Sequence, residues 1–327
     1  MLLTTVAVVV LLALAWDMFI TVFSGSGAGP LSRNWYRLVW RGLLAVHERW
    51  SIHRLLSLAG PFMLLASFLL WYVMLVVALF LALAAQPGSV VSDATGEPAS
   101  LLDLAYFAST TVSSLGYGDQ VPSGFPWTIA STISTLGGAI IITVSLTYVL
   151  AVLAAAIERR KLAQGIFGLG ESAPEIMEHA QLHDPQQSLK VYVLNLSSEI
   201  DHQALKLLAY PILKYFHSPR AGLSLGRGVL FLSDTLFFLS AQPEAKRPPL
   251  GLLHVLDSSI ARYVELSNLK SASKVEEQPQ MDHLRETADE VWATGEAPEQ
   301  FNTALKQYLS RRDRLVEICR QDGWRER

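Results

Sequence analysis

The sequence has 327 residues, of which 51% are hydrophobic and 17% are charged, and its mean hydropathy is +0.31. Soluble domains carry nearer a quarter charged residues, so this composition disfavours an ordinary cytosolic enzyme. Residues 1–157 hold 11 charges and residues 158–327 hold 44, and both halves are close to neutral. The balance excludes a nucleic-acid-binding footprint, and a single cysteine, Cys319, excludes a disulfide framework and a cysteine metal cage.

Three apolar stretches are long enough to cross a bilayer, which takes about 20 residues. They are residues 1–23, 61–86 and 126–157. Nothing basic precedes Arg33, so we expect the first stretch to be a retained helix rather than a cleaved signal peptide. Asp17 interrupts it, and we expect this carboxylate to pair with an arginine of residues 33–54.

The charges between these stretches predict their orientation. Residues 24–60 contain five arginines, whereas residues 86–104 contain three acidic residues and no basic one. Glu-Arg-Arg-Lys follows the third stretch at residues 158–161. Because short cytoplasmic loops carry the excess of Lys and Arg, we expect a multi-pass protein of the plasma (cell inner) membrane. Its N-terminus would lie outside and its C-terminal half in the cytoplasm.

Arg33, Arg37 and Arg41 are spaced four apart, which places them on one face of a helix. This spacing predicts a helix at the cytoplasmic interface with its arginines toward lipid headgroups. The alternative is a voltage sensor, but sensors carry arginines within a spanning helix, and this segment is short and polar.

A motif between the second and third stretches points to function. Residues 114–119 read Ser-Leu-Gly-Tyr-Gly-Asp. This segment resembles the filter of the potassium-channel family, which reads T-x-G-Y-G-D, with Ser114 for Thr and Leu115 for Val. The resemblance covers residues 61–157 and implies a pore module of two helices and one re-entrant loop. It also implies K⁺ as the transported ion, and no organic cofactor is evident.

Elementary chemistry supports this interpretation. A partly dehydrated cation needs a ring of oxygens in place of water, and backbone carbonyls supply it only where backbone handedness alternates. Glycine tolerates that alternation, and Gly116 and Gly118 are at alternate positions. The predicted ion-binding residues are Ser114, Leu115, Gly116, Tyr117 and Gly118. A tight turn in an external loop, the alternative, needs neither flanking spans nor a preceding Thr/Ser run.

Residues 100–112 are predicted to form the re-entrant pore helix, and the filter is expected to rest on Tyr106, Phe107, Thr110, Thr111, Ser113 and Asp119. Three positions depart from the family. Leu115 is bulkier than Val, Phe107 replaces a common Trp, and Thr110 stands where an acidic residue is common. Selectivity for K⁺ therefore has an open alternative, a weakly selective cation pore.

The third stretch is the predicted inner helix. Gly137 and Gly138 lie in its middle, either as a gating hinge or for close helix packing. A cavity and hydrophobic gate are expected on one face, lined by Ala139, Ile142, Leu146 and Leu150. Since the chain has one filter motif and a filter needs four, we expect a homotetramer.

Residues 158–327 are predicted to form a cytoplasmic helical regulatory domain with an unknown ligand. Its glycines do not fit G-x-G-x-x-G, so a nucleotide-binding regulator is not expected. Helices are predicted at 186–216, broken at Pro211, and at 250–268. Residues 223–241 predict a buried helix rather than a fourth span, and residues 270–280 predict a linker.

The last helix carries Phe301, Leu305, Tyr308, Leu315 and Cys319 at helical spacing. This stripe either docks on its own domain or forms a tetrameric coiled coil, whose seam Arg312 would interrupt. His179 and His183, four apart beside acidic residues, form a weak candidate for a divalent cation. No catalytic motif is present, so no enzyme is expected.

The sequence thus predicts an all-α membrane protein, a tetrameric pore-loop channel with three transmembrane helices per chain and a helical cytoplasmic domain. Four segments are expected: an N-terminal span (1–23), a basic interfacial segment (24–60), a pore module (61–157) and a regulatory domain (158–327). The predicted function is passive, K⁺-selective ion transport gated at the inner helix. The alternatives are a weakly selective cation channel and a nonconducting membrane receptor.

Overall fold

The computed structural model describes residues 1–25, 27–50, 53–181, 188–244, 247–267, 277–292 and 301–324. Helices dominate these residues, and three of the helices are long and apolar enough to cross a membrane, so the prediction of an all-α membrane protein is confirmed. The chain divides into two compact units. Unit 1 comprises Met1–Val39 and Pro61–Val152, and unit 2 comprises Trp40–Gly60 and Leu153–Arg327.

The first three helices are α1 (Leu2–Phe23), α2 (Pro30–Trp50) and α3 (His53–Ala84). Helix α3 begins eight residues before the predicted outer helix of residues 61–86. Pro61 lies inside the helix rather than at its start. The missing N–H of proline removes one hydrogen bond, but the preceding turns are held because Leu56 and Ala59 are buried.

The filter loop lies between a short helix and a short ribbon. Helix α4 (Leu101–Val112) matches the predicted pore helix of residues 100–112, and Ser100 begins it with a capping box that includes Asp103. Strands β1 (Val90–Ser92) and β2 (Gln120–Pro122) pair antiparallel, and β2 directly follows the filter loop in the chain. This two-stranded ribbon is an addition to the predicted all-helical fold.

Helix α5 (Trp127–Phe167) has 41 residues and ends ten residues after the predicted inner helix of residues 126–157. Its length of about 60 Å is twice the hydrocarbon core of a bilayer. The predicted end was the limit of the uncharged stretch, which the charged residues 158–161 follow. The helix continues because the Arg159 side chain is buried within unit 2 and paired there.

Unit 2 is built from six further helices and two 3₁₀ turns. The turns are Pro211–Tyr215 and Ala221–Leu223. The helices are α6 (Ala173–Gln181), α7 (Ser188–Ala209), α8 (Leu225–Ser240), α9 (Leu250–Leu266), α10 (Glu277–Val291) and α11 (Phe301–Gln321).

The predicted helices of the C-terminal half agree with this architecture, including the break at Pro211. Helix α8, predicted at residues 223–241, is buried along most of its length, as a core helix rather than a fourth span would be. The predicted linker at residues 270–280 is wrong from residue 277 onward, because α10 begins at Glu277 and Gln280 is buried. Residues 270–276 lie outside the described chain.

Helix α11 docks on its own domain. The five side chains of the predicted stripe, from Phe301 to Cys319, are buried in the cores of unit 2. Arg312, which was expected to interrupt a coiled-coil seam, is itself fully buried. The stripe therefore packs inside the domain, since a coiled coil would leave it exposed in a single chain.

Candidate ion-conduction site

Backbone handedness alternates along the filter loop. Ser114, Gly116 and Gly118 have φ values of +60°, +49° and +85°, whereas Leu115 and Tyr117 do not lie in the positive region. Ser114 is the one non-glycine residue with positive φ in the described part of the chain. L-residues rarely adopt this conformation. Glycine spacing predicted the alternation at two positions, and the structure adds a third at Ser114.

The C-terminal end of α4 holds the start of the filter. The carbonyl oxygen of Thr110 accepts hydrogen bonds from the N–H groups of Leu115 (2.9 Å) and Gly116 (3.3 Å). The Thr110 hydroxyl turns back onto its own helix and donates to the carbonyls of Tyr106 and Phe107. The last carbonyls of a helix have no partner within the helix, and here the filter backbone supplies one.

The next residue of α4, Thr111, connects the filter loop to α5 by hydrogen bonds. The carbonyl of Thr111 accepts from the N–H of Ser114 (3.1 Å) and from the hydroxyl of Thr135 in α5 (3.1 Å). Ser113 ends α4, and its hydroxyl donates to the carbonyl of Thr110. Three of the predicted support residues therefore act through backbone carbonyls and short hydroxyls rather than through long side chains.

Aromatic side chains flank the filter. The rings of Tyr106 and Tyr117 are stacked, with centroids 6.4 Å apart and planes 4° apart. The Tyr106 hydroxyl lies 3.4 Å from a carboxylate oxygen of Asp119. Phe107 is buried in the core of unit 1 together with Trp71. The structure thus brings Tyr106, Tyr117 and Asp119 together, while Phe107 anchors α4 from the other side.

The ribbon holds the outer end of the filter. Strand β2 follows Asp119 directly, and Val121 is paired with Val91 of β1. The carbonyl of Asp119 accepts from the N–H of Asp93 at 3.1 Å. The β-branched valines were the available sequence signal, but three residues are too few to show a strand alternation.

Gly138 allows α5 to approach the end of α4. A Cβ at this position would lie 2.0 Å from the carbonyl oxygen of Val112, a distance that no side chain can occupy. At Gly137 a Cβ would meet only the flexible Leu75 side chain, at 3.2 Å. The structure gives Gly138 a close-packing role, which is one of the two interpretations open from the sequence.

Much of the apolar surface around the site is uncovered in a single chain. The predicted cavity-lining residues Ala139, Ile142, Leu146 and Leu150 are exposed on α5, the last three by 56–62%. A groove of about 420 Å³ also runs between α3 and α4. Its lining residues are Leu69, Tyr72, Val73, Val76, Ser109, Thr110, Ser113 and Leu115.

Asp17 has a different partner from the one predicted. Its carboxylate accepts from the N–H groups of Leu31 (2.8 Å) and Ser32 (3.2 Å), from the Ser32 hydroxyl (2.6 Å) and from the Trp71 indole (3.0 Å). It therefore caps α2 instead of pairing with an arginine, because the first N–H groups of a helix attract an anion. Gly29 fits against it, since a Cβ there would lie 2.2 Å from the carboxylate.

The structure adds no metal ligand to the candidate divalent-cation site of His179 and His183 within the described residues. His179 Nδ1 lies 2.6 Å from the carbonyl of Leu169. Within the described ranges no group of three His, Cys, Asp or Glu side chains could hold a metal ion. His183 lies outside those ranges.

Two buried ion pairs in unit 2 were missed by the sequence analysis. The first joins Arg312 of α11 to Asp234 of α8, with Nε and Oδ1 2.9 Å apart. Burial alone would lower the pKa of Arg312, but attraction to Asp234 and their hydrogen bond raise it above its ordinary value. Tyr308 donates to the same carboxylate at 2.6 Å, and burial raises the pKa of this phenol well above its ordinary value.

The second pair joins Arg159 of α5 to Asp322, just after α11, with Nη2 and Oδ2 3.0 Å apart. Arg159 also donates to the carbonyl of Leu213 at 2.8 Å. Burial raises the pKa of Asp322 above its ordinary value, and the neighbouring guanidinium offsets this shift only in part. Partners 163 positions apart leave no local signal in a sequence.

Residues 64–155 match a protein family described as "Ion channel". The matched family consists of two-helix pore-loop channels, so the match confirms at this level the resemblance read from the filter residues. The chain is also 28% identical over 307 residues to an uncharacterised membrane protein of Bacillus subtilis (strain 168), YdjJ, covering 92% of this chain and 88% of that protein. No solved structure matches. The match indicates an ion channel of the membrane.

Proposed function

We propose that the protein is a homotetrameric, K⁺-selective channel that conducts through residues 114–118. The alternating handedness of Ser114, Gly116 and Gly118 carries this proposal. Consecutive residues of alternating handedness turn their carbonyls to the same side of the strand, and four such strands would form the oxygen ring that replaces the water shell of a cation. K⁺ is the transported ion, with no resident cofactor.

Selectivity for K⁺ is inferred from how firmly the loop is held. The Thr110 carbonyl accepts hydrogen bonds from the loop backbone and fixes its inner end. The Asp119 carbonyl accepts a hydrogen bond from Asp93 and fixes its outer end. The stacked rings of Tyr106 and Tyr117 lie between these two ends of the loop. A filter braced in this way resists the collapse that a smaller ion such as Na⁺ would require. A loosely held loop would instead give the weakly selective pore.

Assembly into a tetramer is inferred from the surfaces left uncovered. Leu115 and Tyr117 are exposed by 55% and 68%, although both belong to the filter. Each chain has one filter loop, and closure around a central axis needs four. In the proposed tetramer, the exposed α5 face from Ala139 to Leu150 lines the cavity, and Gly137 and Gly138 remain the proposed hinge positions.

Flux through the filter is tested with purified protein in liposomes. We expect K⁺ flux from the wild-type chain and none from Gly116→Asp, because a side chain at this positive-φ position deforms the carbonyl ring. Gly96→Asp is the matched control, since Gly96 also has positive φ and no neighbour within 4 Å but lies outside the filter. Equal flux from the Gly116→Asp variant would reject conduction through the filter, and no flux from the wild-type chain would favour a nonconducting receptor.

The cytoplasmic domain is proposed to act on the pore through α5. This helix is continuous to Phe167, and within unit 2 its Arg159 is clamped by Asp322 and the carbonyl of Leu213. A change in unit 2 that moves these partners would displace the end of the pore-lining helix. Residues 158–327 would therefore be the regulatory domain and residues 61–157 the pore module.

Coupling is tested with single-channel recordings of Asp322→Asn. We expect an altered open probability at an unchanged ratio of K⁺ to Na⁺ permeability, because the variant loosens the clamp and leaves the filter intact. Asp201→Asn serves as the control, since Asp201 pairs with Arg262 at the domain surface. An open probability equal to that of the wild type would reject the coupling role of this pair.

The proposed topology has the N-terminus outside and residues 158–327 in the cytoplasm of a plasma membrane. Cys319 is buried, so an introduced cysteine can be labelled selectively. A membrane-impermeant maleimide added to intact cells should label Gly96→Cys and spare Arg314→Cys. The reverse labelling would invert the topology.

A further inference from the structure

Helix α2 presents a cationic face that the conduction mechanism does not use. We propose that Arg33 and Arg37, together with exposed Leu38, form a binding surface for the headgroups of anionic phospholipids. The two arginines are one helical turn apart and exposed. Leu38 is exposed by 69% beside them. An apolar residue next to exposed arginines suits the boundary between headgroups and acyl chains.

The adjoining face of α2 fixes this surface in place. Ser32 and Tyr36 are buried, and both are bonded to neighbouring helices. Ser32 donates to Asp17 of α1, and the hydroxyls of Tyr36 and Ser67 of α3 are 3.2 Å apart. The start of α2 is therefore attached to two membrane helices, and its arginines are held on a rigid support rather than on a loop.

The attachment also sets the depth of the arginines. Helix α1 has 22 residues and rises about 33 Å, close to the thickness of the hydrocarbon core. Asp17 lies six residues before Phe23, so it is about 9 Å from the end of the helix. The first turn of α2 contacts Asp17, and Arg33 follows at once. The Arg33 backbone is therefore within about 9 Å of the membrane interface, and a long arginine side chain extends from that depth toward the headgroups.

In the part of the chain that the structure describes, the positive charge of this face has no acidic partner. Neither Arg33 nor Arg37 forms an ion pair with any residue that the structure describes. Asp17 is buried under the helix, and the other acidic residues of unit 1 lie between positions 93 and 119. That loop follows α3, which contacts α2 at Ser67 and ends at Ala84, about 26 Å further along the helix. The carboxylates of the loop are therefore far from the two arginines. Lipid phosphate is the anion available at this depth.

The test uses the full-length protein in bilayers with a fluorophore attached at Asn34→Cys, an exposed position of α2 close to the proposed surface but not part of it. Brominated phosphatidylglycerol or brominated phosphatidylcholine is added as quencher at equal mole fraction. We expect stronger quenching by phosphatidylglycerol than by phosphatidylcholine at low salt. Each arginine should raise the relative affinity for phosphatidylglycerol about fivefold. Arg33→Gln/Arg37→Gln should quench equally with both lipids. Arg285→Gln/Arg314→Gln, which removes the same charge from exposed positions of α10 and α11, should retain the preference.

Equal quenching of the parent protein by both lipids would overturn the proposal. So would loss of the preference on adding inorganic phosphate, which would identify a site for a soluble anion. A preference that survives the Arg33→Gln/Arg37→Gln change would place lipid selectivity on other residues and also reject it. The readout needs no current, so its result is independent of whether the filter conducts.

Discussion

Gly138 shows how one atom can set the distance between two helices. Its missing Cβ leaves room for the carbonyl of Val112 at the end of α4. We expect Gly138→Ala to destabilise the protein by about 1–3 kcal/mol through overpacking against a backbone that cannot yield. Gly137→Ala, whose methyl would meet only the tip of Leu75, should cost less than half as much. Thermal unfolding in detergent measures both, and equal melting temperatures would contradict a packing role specific to Gly138.

The buried pair of Asp234 and Arg312 predicts a large effect from one uncharged substitution. Asp234→Asn leaves a guanidinium buried without its counter-ion, and we expect a loss of about 3–5 kcal/mol of stability. The double variant Asp234→Leu/Arg312→Met should recover most of it, because both charges are then absent. Denaturant unfolding of the full chain measures these differences. A double variant as unstable as the single one would contradict the account.

Asp201→Asn is the matched control for that series. Asp201 and Arg262 are partly exposed, and such pairs contribute about 1 kcal/mol or less. Hydrogen bonds from Arg262 hold the pKa of Asp201 below its ordinary value. The contribution is therefore present at neutral pH and is lost as the pH falls through that lowered pKa. The difference between wild type and Asp201→Asn should vanish in acid.

Single residues differed in how far the sequence revealed them. Gly116 and Gly118 could be predicted, because alternating glycines have few other uses between two spans. The positive φ of Ser114 could not, since serine carries no marker for it. Asp17 was noticed as a charge in a span but assigned the wrong partner, although Pro30 marks the first position of a helix that needs an N-terminal acceptor.

At the scale of elements, the start of α2 depends on a carboxylate from α1. We expect Asp17→Ala to speed amide hydrogen exchange at Leu31 and Ser32, because both N–H groups lose their acceptor. Loss of a helix cap costs about 0.5–2 kcal/mol. Thr5→Ala, which removes an exposed hydroxyl bond near the start of α1, should leave that exchange unchanged. Unaltered protection in the Asp17→Ala variant would contradict the capping role.

Helix types were easier to predict than helix ends. The periodic apolar segments of α7, α8 and α9 are each found within two residues of their predicted starts. The start of α3 was missed because proline is commonest in the first turn of a helix, and Pro61 lies inside this one. The end of α5 was missed because the prediction followed the uncharged stretch, which ends at residue 157. The ribbon was missed because three-residue strands show no periodicity.

At the scale of the whole molecule, the division of charge between the two halves matches the two compact units closely but not fully. Residues 40–60 were assigned to a separate interfacial segment, yet they group with unit 2. Chain order alone could not reveal this grouping, because it depends on contacts such as the tilted ring contact of Trp40 with Tyr215.

The proposed assembly predicts a definite mass. Four chains of 36.0 kDa should elute together from detergent, and light scattering corrected for bound detergent should count four. We expect four chains to assemble because Leu115 and Tyr117 are exposed in a single chain and would be covered by neighbouring chains. A stable monomer or dimer that still conducts K⁺ would contradict the proposed pore.

The central claim is that residues 114–118 form a K⁺-selective pathway, and the reversal potential tests it most directly. Purified protein in a planar bilayer is placed between equal concentrations of KCl and NaCl. The account predicts a reversal potential displaced strongly toward the K⁺ equilibrium potential, with no current from Gly116→Asp. A reversal potential of zero, meaning equal permeability to K⁺ and Na⁺, would contradict it.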